Sequence, residues 1–280
     1  MGNDMRVSEL YVYPVLSLAG MKVRRFALDR FGPVADRRWM LVDAEGKFLT
    51  QRQKRTMSMV HAGLHEAAFG HVLTLTAPTG QTIESPVNLK RNEGDRFKVT
   101  VWDDTCDAIE ESRELSHWLS GVLDVQCRLV FMPETTLRPV DQTFAQKGQT
   151  VGFADGFPLL LTTQPSLTEF CTRLGRKIDM VRFRPNLVVD GCDPFAEDKW
   201  SELRVGKIPI DVVKPCARCV IPAINPQTSE IEREITETLR LFRRSGDDLI
   251  FGQNAIHRET GEIVVGDEVT VLKGHISSSL

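Results

Sequence analysis

Along the first hundred residues the apolar positions come in short runs or alternate with polar ones, and turn-forming residues divide them. Segments 8–15, 38–42, 72–75 and 97–101 read as strands, with Ala44-Glu45-Gly46 and Pro78-Thr79-Gly80 as turns. The period then changes. Leu115, Trp118, Leu119 and Val122 stand at i, i+3, i+4 and i+7, which predicts a helix with one apolar face. Residues 138–150 are polar and follow neither period, so they read as a crossover, with a domain boundary between 125 and 150.

Past the crossover, Ser166 and Glu169 predict a capping box, Leu167, Phe170, Cys171 and Leu174 an apolar stripe, and Gly175 the end of a second helix. Strands are predicted at 186–189, 208–213, 219–224, 249–252 and 268–272, and a third helix around 235–243. Their spacing is too irregular for a doubly wound parallel sheet. The expected fold class is mainly β with α (α+β): a β-barrel-like N-terminal domain, then a second barrel with peripheral helices.

A chain of 280 residues has room for two such cores. Thirty-five Lys and Arg stand against 38 Asp and Glu, a net charge of -3. No nucleic-acid partner is therefore expected, and any anion site must be local. No apolar run approaches the roughly 18 residues of a membrane span, and Met1 to Arg6 lead into a segment interrupted by Glu9 and Pro14 rather than into a signal peptide. A cytoplasmic protein without a membrane partner is the expectation. Phosphate-loop, dinucleotide and GxSxG patterns are absent from the sequence.

Of six cysteines, at 106, 127, 171, 192, 216 and 219, only Cys216-Ala217-Arg218-Cys219 has an informative spacing. Tetrahedral zinc would need two more ligands. His61 and His65 share i,i+4 spacing, but His71, His117, His257 and His275 complete no second pair. A thioredoxin-like couple would open a helix, whereas Val220-Ile221-Pro222 reads as extended. Lys214, Arg218 and Arg182-Phe183-Arg184 bring cations into the same motif-like segments, and cations favour a thiolate. Two buried thiols beside solvated charges remain the alternative.

The run Lys214-Pro215-Cys216-Ala217-Arg218-Cys219-Val220-Ile221-Pro222, with Asn225-Pro226, resembles the signature loop of the MOSC domain, named for the C-terminal domain of molybdenum cofactor sulfurase. Phe183-Arg184-Pro185-Asn186-Leu187-Val188-Val189, Phe195 to Trp200, Phe251-Gly252-Gln253-Asn254 and Val265 to Val269 resemble its other segments. Tyr13-Pro14-Val15 with Ser17 and Gly20, Asp36 to Val42, and Thr50-Gln51-Arg52-Gln53 resemble the β-barrel domain that precedes MOSC in YcbX-type proteins and mitochondrial amidoxime-reducing components. The resemblance covers about residues 6–273 in collinear order. It implies an N-terminal barrel domain at 1–125 and a MOSC domain at 126–280.

By this resemblance the chain carries a molybdenum cofactor (molybdopterin with Mo), and Cys219 is the metal ligand and catalytic residue. Cys216 is then not a ligand. Ser17, Arg37, Asp155, Arg184, Asn186 and Arg218 fall on the family's cofactor-binding positions. The implied activity is reduction of N-hydroxylated compounds such as amidoximes, hydroxylamines or N-hydroxylated bases. Its alternatives are sulfur transfer through a Cys219 persulfide and a carrier protein for the cofactor. His257 and Asp155 are candidates for the proton donor only by segment, with a solvated His257 expected.

Two departures qualify this. The family's first motif usually reads YPxKS, and Leu16 stands at the lysine position, so a phosphate-holding cation is missing unless Arg37 or Arg52 replaces it. The chain also runs to Leu280 without the ferredoxin domain of YcbX-type relatives or a membrane anchor. An external electron donor (ferredoxin-, flavoprotein- or cytochrome b5-like) is expected.

Overall fold

The protein, seen in a computed structural model, is described over residues 5–68 and 70–274. Met1 to Asp4, on which the leader reading rests, and His275 lie outside the described residues. The fold is built mainly from strands, with three α-helices, Arg113–Leu123, Gln164–Leu174 and Arg233–Phe242.

The largest sheet has nine strands. In spatial order it runs Val269–Gly274, Trp200–Val205, Ile208–Ala217, Asp248–His257, Leu159–Thr163, Leu187–Asp190, Arg6–Val12 and Met21–Val23, with Arg244–Ser245 as a side pair on Asp248–His257. Leu159–Thr163 and Leu187–Asp190 are parallel and joined through the helix Gln164–Leu174; the other neighbours along this path are antiparallel. Leu10, Leu161, Leu187, Leu203 and Ile210 point into its interior and are fully buried. Each such side chain contributes about 1.5–3 kcal/mol by leaving water. A four-stranded sheet (Trp39–Val42, Arg128–Phe131, Asp104–Glu110, Arg96–Val101) and a hairpin sheet (His61–Ala67, Gly70–Thr76, Thr82–Val87) build the other barrel-like unit. Leu115, Leu119 and Leu123 of the first helix fill its core beside Trp39 and Phe131.

Sheet membership crosses the expected division of the chain. Arg6–Val12 belongs to the large sheet through Leu187–Asp190, Arg128–Phe131 pairs with Trp39–Val42, and Gly261–Val264 pairs with Arg25–Asp29. The two units are thus laced together by their first and last strands.

Local structure corrects the sequence reading in three places. Thr163, not Ser166, caps the second helix: its Oγ1 accepts the Ser166 N–H, with Pro165 in the first turn. The Ser166 hydroxyl instead donates to Glu197 at 2.8 Å, while Gly175, with φ of 78°, ends the helix as expected. Residues 219–224 are not a strand; Val220 is right-handed helical and Ile221–Ala223 form a 3-10 turn. Pro222 suits that first turn, where no N–H is needed. The strand Leu159–Thr163 was not anticipated, because a short, wholly buried apolar run carries no alternation.

Candidate active site

A cavity of about 300 Å³ opens between the two units. Ser17, Arg37, Asp155, Arg184, Asn186, Arg218 and Cys219, the residues singled out in the sequence, all line it. They come from loops more than two hundred residues apart, and local geometry explains how each is delivered.

The Cys loop follows the strand Ile208–Ala217. Pairing of that strand with Asp248–His257 shifts register between Val212 and Lys214 and again between Pro215 and Ala217. A regular strand would send alternate side chains to opposite faces, whereas irregularities of this kind re-aim them. Lys214 through Cys219 accordingly all reach the cavity. Here the two cysteines separate. The Arg218 guanidinium donates to Cys216 Sγ at 3.0 Å and to the Phe183 carbonyl at 2.9 Å. Cys219 is exposed to the cavity, and its sulfur has no hydrogen-bond partner among the described residues.

Two guanidinium groups stack on the Tyr13 ring, each 4.3 Å from its centroid: Arg37 and Arg184. Stacking of this kind aims a cation without consuming its in-plane donors. Arg37 donates to Asp36 at 2.5 Å, to Asn186 Oδ1 at 3.2 Å and to the Arg184 carbonyl at 3.1 Å. Asn186 also accepts from the Leu160 N–H and donates to the Tyr11 carbonyl, so its amide serves chiefly to hold Arg37 and the strands in place. Burial pushes the Asp36 carboxyl up, and its pairing with Arg37 opposes that. Gly152 lets the chain pass under Arg37, where a Cβ would lie 2.9 Å from the Arg37 carbonyl oxygen.

Arg184 donates to the Leu18 carbonyl at 2.8 Å, while its Nη2 is buried without a partner; Arg218 Nε is likewise unpaired. Removal from water, reinforced by the Arg37 charge, pulls the Arg184 guanidinium down to about 10. Five cations, Arg37, Arg52, Arg184, Lys214 and Arg218, line the cavity against one carboxylate, Asp155. Buried donors left unpaired are costly. The donor set, several guanidiniums on the wall of a cavity that also holds a free thiol, fits an anionic group that carries a thiophilic metal. It therefore fits the phosphate-bearing, metal-bearing cofactor that the sequence motifs imply.

Backbone strain marks the same place. Among the described residues eight non-glycine residues have φ in the left-handed region, and Ser17, Arg37, Trp102 and Arg184 line the cavity, whose 23 lining residues are under a tenth of the chain. Such conformations persist where surroundings over-determine them, which is commonly at binding sites.

His257 is neither solvated nor at the cavity. It is buried, bonded through Nε2 to the Asp29 carbonyl at 2.7 Å, and burial lowers its pKa. It lies at the end of the strand Asp248–His257 and is tied to the end of Arg25–Asp29 by that bond, which the motif spacing did not reveal. Asp155, exposed at the cavity, makes no hydrogen bond or ion pair through its side chain among the described residues and acts on Arg184 through its charge. Sequence reasoning missed Tyr13 as the ring on which two arginines stack, although it opens a quoted motif, and Trp102, for which no sequence signal existed.

Comparison with known proteins agrees with the motifs. The profile of the MOSC N-terminal beta barrel domain matches residues 4–126, and that of the MOSC domain matches residues 148–270. Mitochondrial amidoxime-reducing component 1 of Xenopus laevis is 30% identical over 283 residues, covering 94% of this chain and 81% of the relative. The Homo sapiens protein of the same name is 28% identical, covering 95% and 82%. Mitochondrial amidoxime reducing component 2 of Rattus norvegicus is 30% identical, covering 94% and 82%.

Proposed function

The chain belongs to the MOSC family, in the two-domain form shared with the amidoxime-reducing components, and on that premise we propose that it is a molybdenum cofactor-dependent oxidoreductase that reduces N-hydroxylated compounds such as amidoximes, hydroxylamines or N-hydroxylated bases. The observation that carries this reading is the free, exposed Cys219 thiol in a cavity with five cations and two buried guanidinium donors unpaired. The names of the relatives support the substrate class.

Cys219 Sγ would be the protein ligand to the metal, while Cys216 Sγ is engaged by the Arg218 guanidinium instead. When bound, the cofactor supplies two-electron chemistry that removes oxygen from an N–O group. Arg37, Arg184 and Arg218 on the cavity wall would hold the anionic cofactor through their charge and the forked geometry of their guanidiniums. Tyr13 gives Arg37 and Arg184 a common stacking ring while Asp36 and Asn186 fix Arg37. Phe157, Asn254 and Lys214 on the cavity wall leave an amphipathic surface for a small polar substrate. Electrons come from a separate redox protein, ferredoxin-, flavoprotein- or cytochrome b5-like; the word component in the relatives' names supports this. We place the protein in the cytoplasm.

The test is a paired assay of cofactor-loaded chain on one amidoxime. Turnover with a chemical reductant and none with NADH alone is expected; turnover with NADH alone refutes the separate donor. A second reading, sulfur transfer through a Cys219 persulfide, is favoured by the same unpartnered thiol, and labile sulfane sulfur on molybdenum-free protein would support it.

A further inference from the structure

Of the five cavity cations, Arg37, Arg184 and Arg218 each have protein acceptors. Arg52 is different. Its guanidinium has no acceptor among the described residues, and it lies on the Trp102 ring at 4.3 Å from the centroid. The shelf beneath it is braced: Trp102 packs edge-on against Phe48 with centroids 4.9 Å apart. Trp102 also sits between Arg96–Val101 and Asp104–Glu110, in a two-residue hairpin turn, with φ of 54°. That position favours glycine or asparagine, so a tryptophan there is a backbone outlier held by its surroundings.

The Arg52 loop is fastened to the cavity floor. Thr50 Oγ1 accepts the Arg52 N–H at 3.2 Å, Gln53 Oε1 accepts the Thr50 N–H at 2.8 Å, and Gln51 donates to the Ser17 carbonyl at 2.7 Å. Ser17 is itself left-handed, with φ of 66°, and its hydroxyl has no partner among the described residues. Leu16 beside it is buried with Phe31, Met40 and Phe48 and brings no charge. This wall of the cavity therefore holds one exposed cation, over the Trp102 ring and without an acceptor among the described residues, and one free hydroxyl.

We propose that Arg52, laid on Trp102 and joined by the Ser17 hydroxyl, is a phosphate-monoester subsite that supplies the cation which Leu16 does not. Trp102 is its positioning residue. The proposal rests on the cofactor reading above for the identity of the phosphate, the cofactor's own tail.

Inorganic phosphate is titrated into the cofactor-free full chain at matched ionic strength and followed by 31P NMR. Arg52→Gln weakens phosphate binding about tenfold, as loss of one charge-assisted hydrogen bond does. Trp102→Phe, which keeps a stacking face, stays within about threefold, and Trp102→Gly, which suits the positive φ but removes the shelf, falls with Arg52→Gln. Adding Leu16→Lys to Arg52→Gln restores most of the binding. Loaded chain takes up no added phosphate, because the cofactor fills the subsite. Wild-type affinity in Arg52→Gln, or no phosphate binding by the wild type, overturns the subsite. Undiminished phosphate binding by the loaded chain overturns its assignment to the cofactor. Arg52-dependent phosphate binding in a chain that never retains molybdenum keeps the phosphate subsite, removes its assignment to the cofactor and overturns the cofactor reading. Molybdenum retained with Arg52-independent phosphate binding does the reverse.

Discussion

Two arginines in this molecule look alike until their partners are counted. Arg243 stacks on Phe195 at 4.2 Å and gives its whole fork to the protein: Asp198 accepts at 2.6 and 2.9 Å and the Ile250 carbonyl at 3.2 Å. Arg184 stacks on Tyr13 at 4.3 Å, yet no carboxylate accepts a hydrogen bond from it: Asp36 and Asp155 act on it only through their charge, and one buried nitrogen is unpaired. One guanidinium closes a structural network, to which Gln253 also contributes at 2.8 Å. The other, on the cavity wall, is left short of acceptors. Burial and stacking do not distinguish a structural arginine from a binding one; the acceptor inventory does.

If the distinction is right, the largest effect belongs to the open region's only unpartnered thiol. Cys219→Ser should lower molybdenum-dependent turnover by about a thousandfold, equivalent to about 4 kcal/mol, with an unchanged melting temperature. Cys216→Ser, whose sulfur accepts from Arg218, should retain a measurable part. Equal loss in two folded variants would erase the difference between the cysteines.

The closed region should answer in stability. Asp198→Ala leaves the Arg243 charge buried without its acid, and urea unfolding should report a loss of roughly 2–4 kcal/mol with cofactor affinity unchanged in the folded fraction. Arg184→Leu should do the opposite. Removing a desolvated, incompletely paired cation leaves unfolding within about 1 kcal/mol of the parent, while the cofactor off-rate rises about tenfold. A large stability loss in Arg184→Leu would make it another Arg243.

The smallest effect separates the seam from the cavity. Burial lowers the His257 pKa below its usual 6.5, so at acid pH the unfolded chain binds a proton that the folded chain resists. This contribution to stability is complete above pH 6.5 and declines as the pH falls through that value. His257→Gln should flatten the acid limb of the stability profile by less than one proton, under about 1.4 kcal/mol per pH unit. Cofactor content at neutral pH should not change.

Much of the strand content was legible because half-buried strands alternate and turns carry their own residues, as at Gly70–Thr76 and Arg96–Val101. Pairing was not. Nothing in Arg6–Val12 says that it will lie beside Leu187–Asp190, since alternation fixes a face and not a partner. The helix cap slipped from Thr163 to Ser166 because both are hydroxyl residues at the same helix start, and 219–224 looked extended because Val220 and Ile221 are β-branched. At the site, the motifs supplied the cysteine and most of the charged residues that line the cavity, but not Trp102 or the apolar wall at Phe157, Leu159 and Leu160. Which of their donors stay unpaired depends on distances that spacing does not encode. The Trp102 shelf runs against turn preference, so no rule of sequence could place it.

The central claim is that Cys219 alone in its loop offers sulfur to a molybdenum cofactor held by open guanidiniums. The most direct measurement is molybdenum content together with X-ray absorption at the molybdenum edge, on chain purified from a molybdenum-replete host and on its Cys219→Ser and Cys216→Ser forms. Stoichiometric molybdenum with one protein sulfur, lost in Cys219→Ser and kept in Cys216→Ser, is the predicted result. Folded wild-type chain without molybdenum above background, or a sulfur shell indifferent to Cys219, would contradict it.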